Sequence, residues 1–279
     1  MVYIFTALYC EAHIFIKQFK LIKNQDNASF QEFYNETCGI RLTVTGVGEI
    51  AAAAAVGSIC SIYKPTQSDL LLNAGICAHT TKNDGIFLCN KIIEHATGKT
   101  FYPDMLYRHN FCEGTIVTGM MPWNGKNFTP AGDLYDMEAA AVYQAGIHFL
   151  GPHQMIFLKA VSDQGAAKEV SKERTVSLME KYQDCIFDYI RQLSDIAQLN
   201  GCRKNGLRGE EEKLIETFCT DLHCSKAMRD SMHQYIRYLS LTGIDYISVI
   251  QNMYVKDLLP CKDKREGKLR FEEFKRQLF

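Results

Sequence analysis

Neither sign of charge dominates this 279-residue chain, in which 31 Lys and Arg stand against 32 Asp and Glu for a formal charge of −1. That balance removes the general electrostatic reason to expect nucleic acid or an anionic membrane as partner. Long hydrophobic runs are also missing. The apolar stretches are strand-sized, well short of the roughly 20 residues that cross a bilayer, and Val2–Leu8 has no basic region ahead of it, so neither a membrane span nor an export signal is expected. No repeat and no low-complexity segment is present, and there is a single tryptophan, Trp123. The 11 cysteines are odd in number and scattered, which argues against a disulfide framework and for reduced thiols in the cytoplasm. What these absences leave is a globular protein with a small-molecule ligand.

Short apolar runs do recur between turn signals, at Val2–Ala7, Leu42–Thr45, Leu70–Asn73, Ile86–Leu88, Thr115–Val117 and Met155–Val161. Their length and β-branched content predict buried strands. Between them lie helical patterns at Glu49–Tyr63, Met137–Phe149 and Lys172–Ile196, the last carrying an apolar stripe through Val176, Met179, Tyr182, Ile186, Tyr189 and Leu193. This alternation predicts an α/β fold: a three-layer arrangement with a central mixed sheet flanked by helices. Beyond residue 196 the texture changes. Asn200–Gly209 collects Gly, Asn and basic residues and reads as a linker. After it come a fresh helical pattern from Glu210, helices at Ser225–Ser240 and near Tyr246–Val255 with a break at Thr242-Gly243, a stop at Pro260 and a charged end. The expectation is a larger α/β domain over 1–198 and a small helical accessory domain over 210–279.

In α/β sheets ligands gather outside the carboxyl ends of strands. Glu11 follows the first predicted strand, Gly46-Val47-Gly48 the second, Ala74-Gly75 the third and Ser162-Asp163 the last. Asp136-Met137-Glu138-Ala139-Ala140-Ala141-Val142, followed by Ala160-Val161-Ser162-Asp163, resembles two signatures of the nucleoside phosphorylase and nucleosidase superfamily, in the right order and spacing. Ala7–Glu11, the Gly46–Gly48 turn into an alanine-rich helix, Asn73–Ala78 and Gly114–Gly119 agree with it. The resemblance spans roughly residues 1–195, and its catalytic pattern is most similar to the methylthioadenosine/adenosylhomocysteine nucleosidases.

Breaking an N-glycosidic bond passes through an oxocarbenium-like transition state, so a catalyst must protonate the departing base and deliver a nucleophile to the sugar. The resemblance implies that Asp163 is the acid for N7 of a purine, that Ser162 holds it, and that Glu11 activates water. It also implies that Glu138, with Met137, binds the ribose hydroxyls. Gly46, Ile76, Cys77, Ala78 and Thr118 are further pocket candidates, and Trp123 is a candidate cover for the base. Each has a plainer reading: Asp163 as cap of a helix near Ala166, Glu138 as a first-turn carboxylate facing the helix dipole, Glu11 as a solvated residue opening a helix, Trp123 as packing. Asp136 reads as a cap before the following helix.

Phosphorolysis needs cations and N–H donors for a phosphate. Where the superfamily's phosphorolytic hexamers carry arginines, this chain has Leu72-Asn73 and Gln164-Gly165-Ala166-Ala167, with Lys168, Arg41 and Arg108 the remaining candidates. A hydrolase of 5′-modified adenosine type, working without cofactor or metal, is the expectation. The alternatives are a phosphorylase and a nucleoside sensor without turnover. The resemblance further implies a homodimer or larger homo-oligomer. The stretch Asn73–Thr118 is shorter than in typical members, which leaves the substrate open. Phe101-Tyr102-Pro103 reads as a lid or dimer contact. Cys219, His223 and Cys224 sit together but without the spacing of a zinc module.

Overall fold

Where the layers lie is decided by the first strand, in which every residue of Val2–Thr6 is buried; a strand hidden on both faces must lie between two layers. The computed structural model describes residues 1–25, 29–126, 128–165, 171–203 and 209–278. The strands are β1 (Val2–Thr6), β2 (Ile22–Lys23), β3 (Gln31–Asn35), β4 (Ile40–Val44), β5 (Leu70–His79), β6 (Ile86–Glu94), β7 (Thr100–Phe101), β8 (Cys112–Thr118), β9 (Leu134–Asp136) and β10 (Met155–Asp163). The helices of the same unit are α1 (Tyr9–Gln18), α2 (Glu49–Tyr63), α3 (Ala139–Gly146), α4 (Lys172–Lys181) and α5 (Gln183–Arg203). Alternate residues of β1 go to opposite faces. Val2 and Ile4 join Phe15 of α1 and Ile190 and Leu193 of α5, while Tyr3 and Phe5 join Ala52, Val56 and Ile59 of α2 and Val142 of α3. The result is a three-layer, mixed α/β architecture.

The sheet is not simply open. One edge of β5 is taken by β10 in parallel. Next, β10 pairs with β6, β6 with β8, β8 with β9, and β9 returns to β5 at Ala78 and His79. Five strands thus close a ring, and β1, β4, β3 and β2 extend from its other side. On that side β5 pairs with β1 only from Leu70 to Asn73, and antiparallel β9 joins it only at Ala78 and His79, so the sheet splits between the end of β1 and the end of β9. The strand backbone around Ile76 faces the split, and the candidate site lies there.

The structure redraws several predicted elements. β5 continues through Gly75 to His79 instead of ending at Asn73, because β10 pairs along Leu71–Ala78. The helix predicted over Met137–Phe149 is Ala139–Gly146, with Glu138 as its N-cap residue. The long pattern over Lys172–Ile196 is two helices broken at Tyr182, whose hydroxyl bonds Asp84 Oδ1 at 2.5 Å. The helix proposed near Ala166 and the cation Lys168 lie outside the described residues. So do residues 204–208 of the predicted linker, while its first residues, 200–203, continue α5 and Gly209 begins the next helix.

Contacts divide the chain into compact units Met1–Lys204 and Asn205–Phe279. The second unit holds α6 (Gly209–Asp221), α7 (Lys226–Thr242), α8 (Tyr246–Val255) and α9 (Lys264–Gln277) around Phe218, Leu222, Ile236, Ile250 and Phe274. The predicted break is Gly243, at φ +71°. The charged end is helical, opened by Asp263, whose carboxylate accepts from the N–H groups of Arg265 and Glu266. Among the described residues no helix is long and apolar enough to cross a membrane.

Candidate active site

A cleft of about 290 Å³ occupies the split, lined among others by Leu8, Glu11, Ile76, Cys77, Ala78, Trp123, Met137, Glu138, Ser162 and Asp163. The three acidic residues singled out in the sequence therefore share one cavity, although they come from α1, the start of α3 and the end of β10. Each is held by backbone N–H groups.

Glu11 sits in the first turn of α1, where Oε2 accepts from Leu8 N at 2.8 Å. Its other oxygen crosses the split and accepts from Ile76 N at 2.9 Å, filling the place on β5 that neither β1 nor β9 reaches. The carboxylate fits because residue 75 is glycine; a Cβ there would stand 2.7 Å from Oε1. Gly75 thus serves close approach, not a turn. Burial pushes the Glu11 carboxyl above its ordinary range, opposed by the N–H groups of Ile76 and Leu8 and by Lys159.

Glu138 is anchored from the opposite wall, Oε1 accepting from Gly48 N at 2.8 Å. Gly48 begins α2 at φ +100°, so the Gly46-Val47-Gly48 turn contributes a donor aimed at the cleft. Gly46 itself, expected in the pocket, shapes that turn at φ +85° while Val47 faces the cavity. Burial and then the neighbouring Asp136 carboxylate push the Glu138 carboxyl up to about 7, against Lys159 and the Gly48 N–H.

Asp163 closes β10. Oδ1 accepts from Gly165 N at 2.8 Å, and Ser162 Oγ lies 2.6 Å from Oδ2 and 3.1 Å from Cys77 O. With one proton, the hydroxyl donates to the carboxylate when that is ionised, and to the Cys77 carbonyl when the carboxyl carries the proton. Ser162 can therefore serve both states of its neighbour.

Beneath these groups is an element that motif reading did not find. Lys159 lies in mid-β10, 2% exposed, with Nζ 2.8 Å from Asp136 Oδ2. Burial alone would lower its pKa, but Asp136, Glu138 and Glu11 outweigh that and hold the ammonium above its ordinary value. Asp136 does act on the helix start as expected, accepting from Ala139 N at 3.0 Å, and it is also the lysine's counter-ion. Thr118, expected in the pocket wall, lies behind it: it is wholly buried, donates to Asp136 Oδ1 at 2.7 Å and accepts from Ala140 N at 3.0 Å. The signal available was a single lysine inside the apolar run Met155–Val161.

Trp123 lines the cleft and packs on Tyr135, its Nε1 donating to Phe128 O at 2.8 Å; Met137 completes the wall half-buried. Of the cations considered, Arg41 is engaged by Glu32 and Glu36 and stacked 3.7 Å over Tyr63, while Arg108 lines a different groove beside Phe111 and Tyr189. No Arg or Lys is among the described residues lining the cleft. Phe101 stacks on Tyr143 at 5.0 Å and Pro103 is buried, leaving Tyr102 exposed. In the tail, Cys219 belongs to the apolar core and His223 Nε2 lies 2.9 Å from Cys261 O. Among the described residues no three His, Cys, Asp or Glu side chains are grouped to hold a metal.

No family model and no curated protein matches the chain in sequence. Solved structures do match in shape. A Streptococcus pneumoniae MTA/SAH nucleosidase with 8-aminoadenine aligns at TM-score 0.58 and 16% identity, over 68% of this chain and 98% of its own. A Neisseria meningitidis 5′-methylthioadenosine/S-adenosylhomocysteine nucleosidase with methylthio-immucillin-A gives 0.55 and 17%, over 70% and 97%. A Helicobacter pylori futalosine hydrolase mutant gives 0.53 and 10%, over 67% and 98%. The chain thus carries the nucleoside phosphorylase and nucleosidase fold. At these identities the likeness concerns the fold, and the chemistry has to be argued from the cleft.

Proposed function

We propose that the protein hydrolyses the N-glycosidic bond of a purine nucleoside of the 5′-modified adenosine type, releasing free base and sugar. The observation that carries this reading is the convergence of Glu11, Glu138 and Asp163, from three separate elements, on one cleft of about 290 Å³. Asp163 delivers a proton to N7 of the departing purine, and Ser162 holds its carboxyl in either protonation state. Glu11, whose affinity for a proton is raised by burial, takes the proton of the attacking water. Glu138 accepts from the ribose hydroxyls beside Met137, and Trp123 covers the base with Ile76, Cys77 and Ala78 around it. Lys159 stabilises the negative charge that this cluster concentrates. The sequence segment 1–198 is the catalytic part in this reading, and 210–279 is an accessory domain.

Water is favoured over phosphate as nucleophile because the described lining offers no cation to hold a dianion. Val47 at the cleft, Ile50 three residues on, and Met120 and Met121 ahead of Pro122 are exposed apolar side chains, which supports a homodimer or larger assembly; light scattering on the purified protein measures it. The same reading places the enzyme in the cytoplasm, with its thiols reduced. The direct test is incubation with adenosine, inosine, methylthioadenosine and adenosylhomocysteine, with and without phosphate, while free base is followed. Release without phosphate is expected. Strict dependence on phosphate would make the protein a phosphorylase, and nucleoside binding with no release from any of them would make it a sensor.

A further inference from the structure

Two loops that line the cleft meet at a pair of glycines. Gly125 lies two residues after Trp123, and Gly165 two residues after Asp163; both are in the left-handed region, at φ +73° and +82°. A Cβ on Gly165 would stand 2.4 Å from Gly125 N and 2.6 Å from its Cα, and a Cβ on Gly125 would stand 3.1 Å from Gln164 O. The two backbones therefore approach more closely than a side chain allows, in a conformation that other residues resist. Each loop is also tied within itself. On one, Gly165 N donates to Asp163 Oδ1; on the other, Trp123 Nε1 donates to Phe128 O, and Tyr135 Oη of β9 adds an outside tie by donating to Met121 O at 2.8 Å. The glycine pair is where these two braced pieces abut.

We infer that the Gly125–Gly165 contact is a positioning device that sets the Trp123 wall against the Asp163 carboxylate, so that a purine lying on the wall presents its ring nitrogen to the acid. The inference rests on the nucleosidase reading above and makes both glycines positioning residues. If the loops part, the base and the proton donor lose their shared frame even though neither side chain has changed. A misplacement on the order of 1 Å at a reacting centre costs about 100-fold in rate.

Trp123 is the single tryptophan of the chain, so its fluorescence reports on the wall without turnover, and adenine serves as the probe. In Gly165→Ala we expect kcat/KM to fall about 100-fold, mainly through kcat, with adenine quenching of Trp123 weakened about tenfold. Gly165→Asn, which tolerates the left-handed backbone but still adds a Cβ, should lose as much. Gly125→Ala, with its milder 3.1 Å approach, should fall between and carries the test if the Gly165 variants do not fold. Gly98→Ala, at φ +70° with nothing within 4 Å of an added Cβ, should behave as wild type. Wild-type quenching and kcat/KM in the Gly165 variants would overturn the inference, as would full recovery in Gly165→Asn, which would reduce the effect to backbone strain. A wild-type protein that binds adenine but releases no base would overturn the reaction and leave the contact to be judged on the variants' binding alone. Absence of quenching in the wild type would overturn both.

Discussion

The two compact units bury different kinds of side chain. Met1–Lys204 takes Glu11, Glu32, Arg41, Asp136, Glu138, Lys159 and Asp163 out of water, whereas the buried residues described in Asn205–Phe279 are apolar, tyrosine or cysteine. Among its described residues the second unit leaves its charges at least partly exposed, as in the pairs Arg229–Glu216 and Lys275–Glu272. Burying a charge costs several kcal/mol unless it is paired and hydrogen-bonded, so a unit built only for stability has little use for it. The first unit pairs Arg41 with Glu32 and Glu36 against the rings of Tyr34 and Tyr63, outside the lining of the cleft. Around Lys159 it gathers more carboxylates than one ammonium neutralises, and there the cleft opens. The second carboxylate on Arg41, Glu36, is 62% exposed, so what separates the site from that ion pair is an excess of negative charge that is buried.

The largest expected effect attacks the functional side of this contrast. Asp163→Asn keeps the shape of the side chain and removes the transferable proton, so base release should fall by about 10²–10⁴-fold with the melting temperature nearly unchanged. A wild-type rate in a discontinuous assay for free base would remove Asp163 from the chemistry and leave its burial unexplained.

Next comes the charge balance itself. Lys159→Met leaves Asp136 and Glu138 facing each other without their cation, at a cost of about 3–5 kcal/mol. Phe274→Ala, in the core of the second unit, should cost a similar amount, about 3–5 kcal/mol, by opening a cavity. The two differ in their response to pH. Glu138 titrates near 7 when folded, so at pH 5.5 it is neutral and the Lys159→Met penalty shrinks, while the Phe274→Ala penalty stays constant. Urea unfolding at pH 5.5 and pH 8 measures both, and equal penalties for Lys159→Met at the two values would contradict the electrostatic account.

These contrasts also mark what was legible in the sequence. The buried strands β1 and β10, the helices α2 and α8, and Glu11, Glu138 and Asp163 could be found because apolar runs, capping patterns and the Asp-Met-Glu and Ser-Asp motifs are local signals. β9 and β7 could not: segments of three and two residues carry no periodicity, and they are strands only because β8, β5 and β6 offer them an edge. The closed ring of β5, β10, β6, β8 and β9 is a set of non-local pairings that no window of sequence encodes. Gly75 reads as lying beyond its strand until β5 is seen to run through it with Glu11 against it. Lys159 was hidden by its setting, since an apolar run announces a strand and says nothing of what its one polar member meets.

A smaller effect, of opposite sign, belongs to Glu138. Its carboxyl is raised from an ordinary 4.5 to about 7 in the folded protein, so between those values the folded state holds a proton that the unfolded state has lost. Folding takes up protons there, and stability falls as pH rises through about 4.5 to 7, with the penalty complete above it. Glu138→Gln removes the penalty. At pH 8 the unliganded variant should gain about 1–2 kcal/mol, a rise of several degrees in melting temperature, together with a higher KM from the lost ribose contact. An unchanged or lower melting temperature at pH 8 would mean that Lys159 fully compensates the carboxylate.

The smallest expected effect tests the other side of the contrast. Arg229 and Glu216 pair in the second unit with 36% and 51% of their side chains exposed, and solvent screens such a pair so well that its net contribution is about 0–1 kcal/mol. Arg229→Ala should therefore shift unfolding by less than about 1 kcal/mol, and even less in high salt. Measured beside Lys159→Met, it asks whether burial or the mere presence of an ion pair sets the cost of breaking one. A loss from Arg229→Ala as large as that from Lys159→Met would mean that the second unit also depends on its charges, and the division of labour between the two units would fail at its stability end.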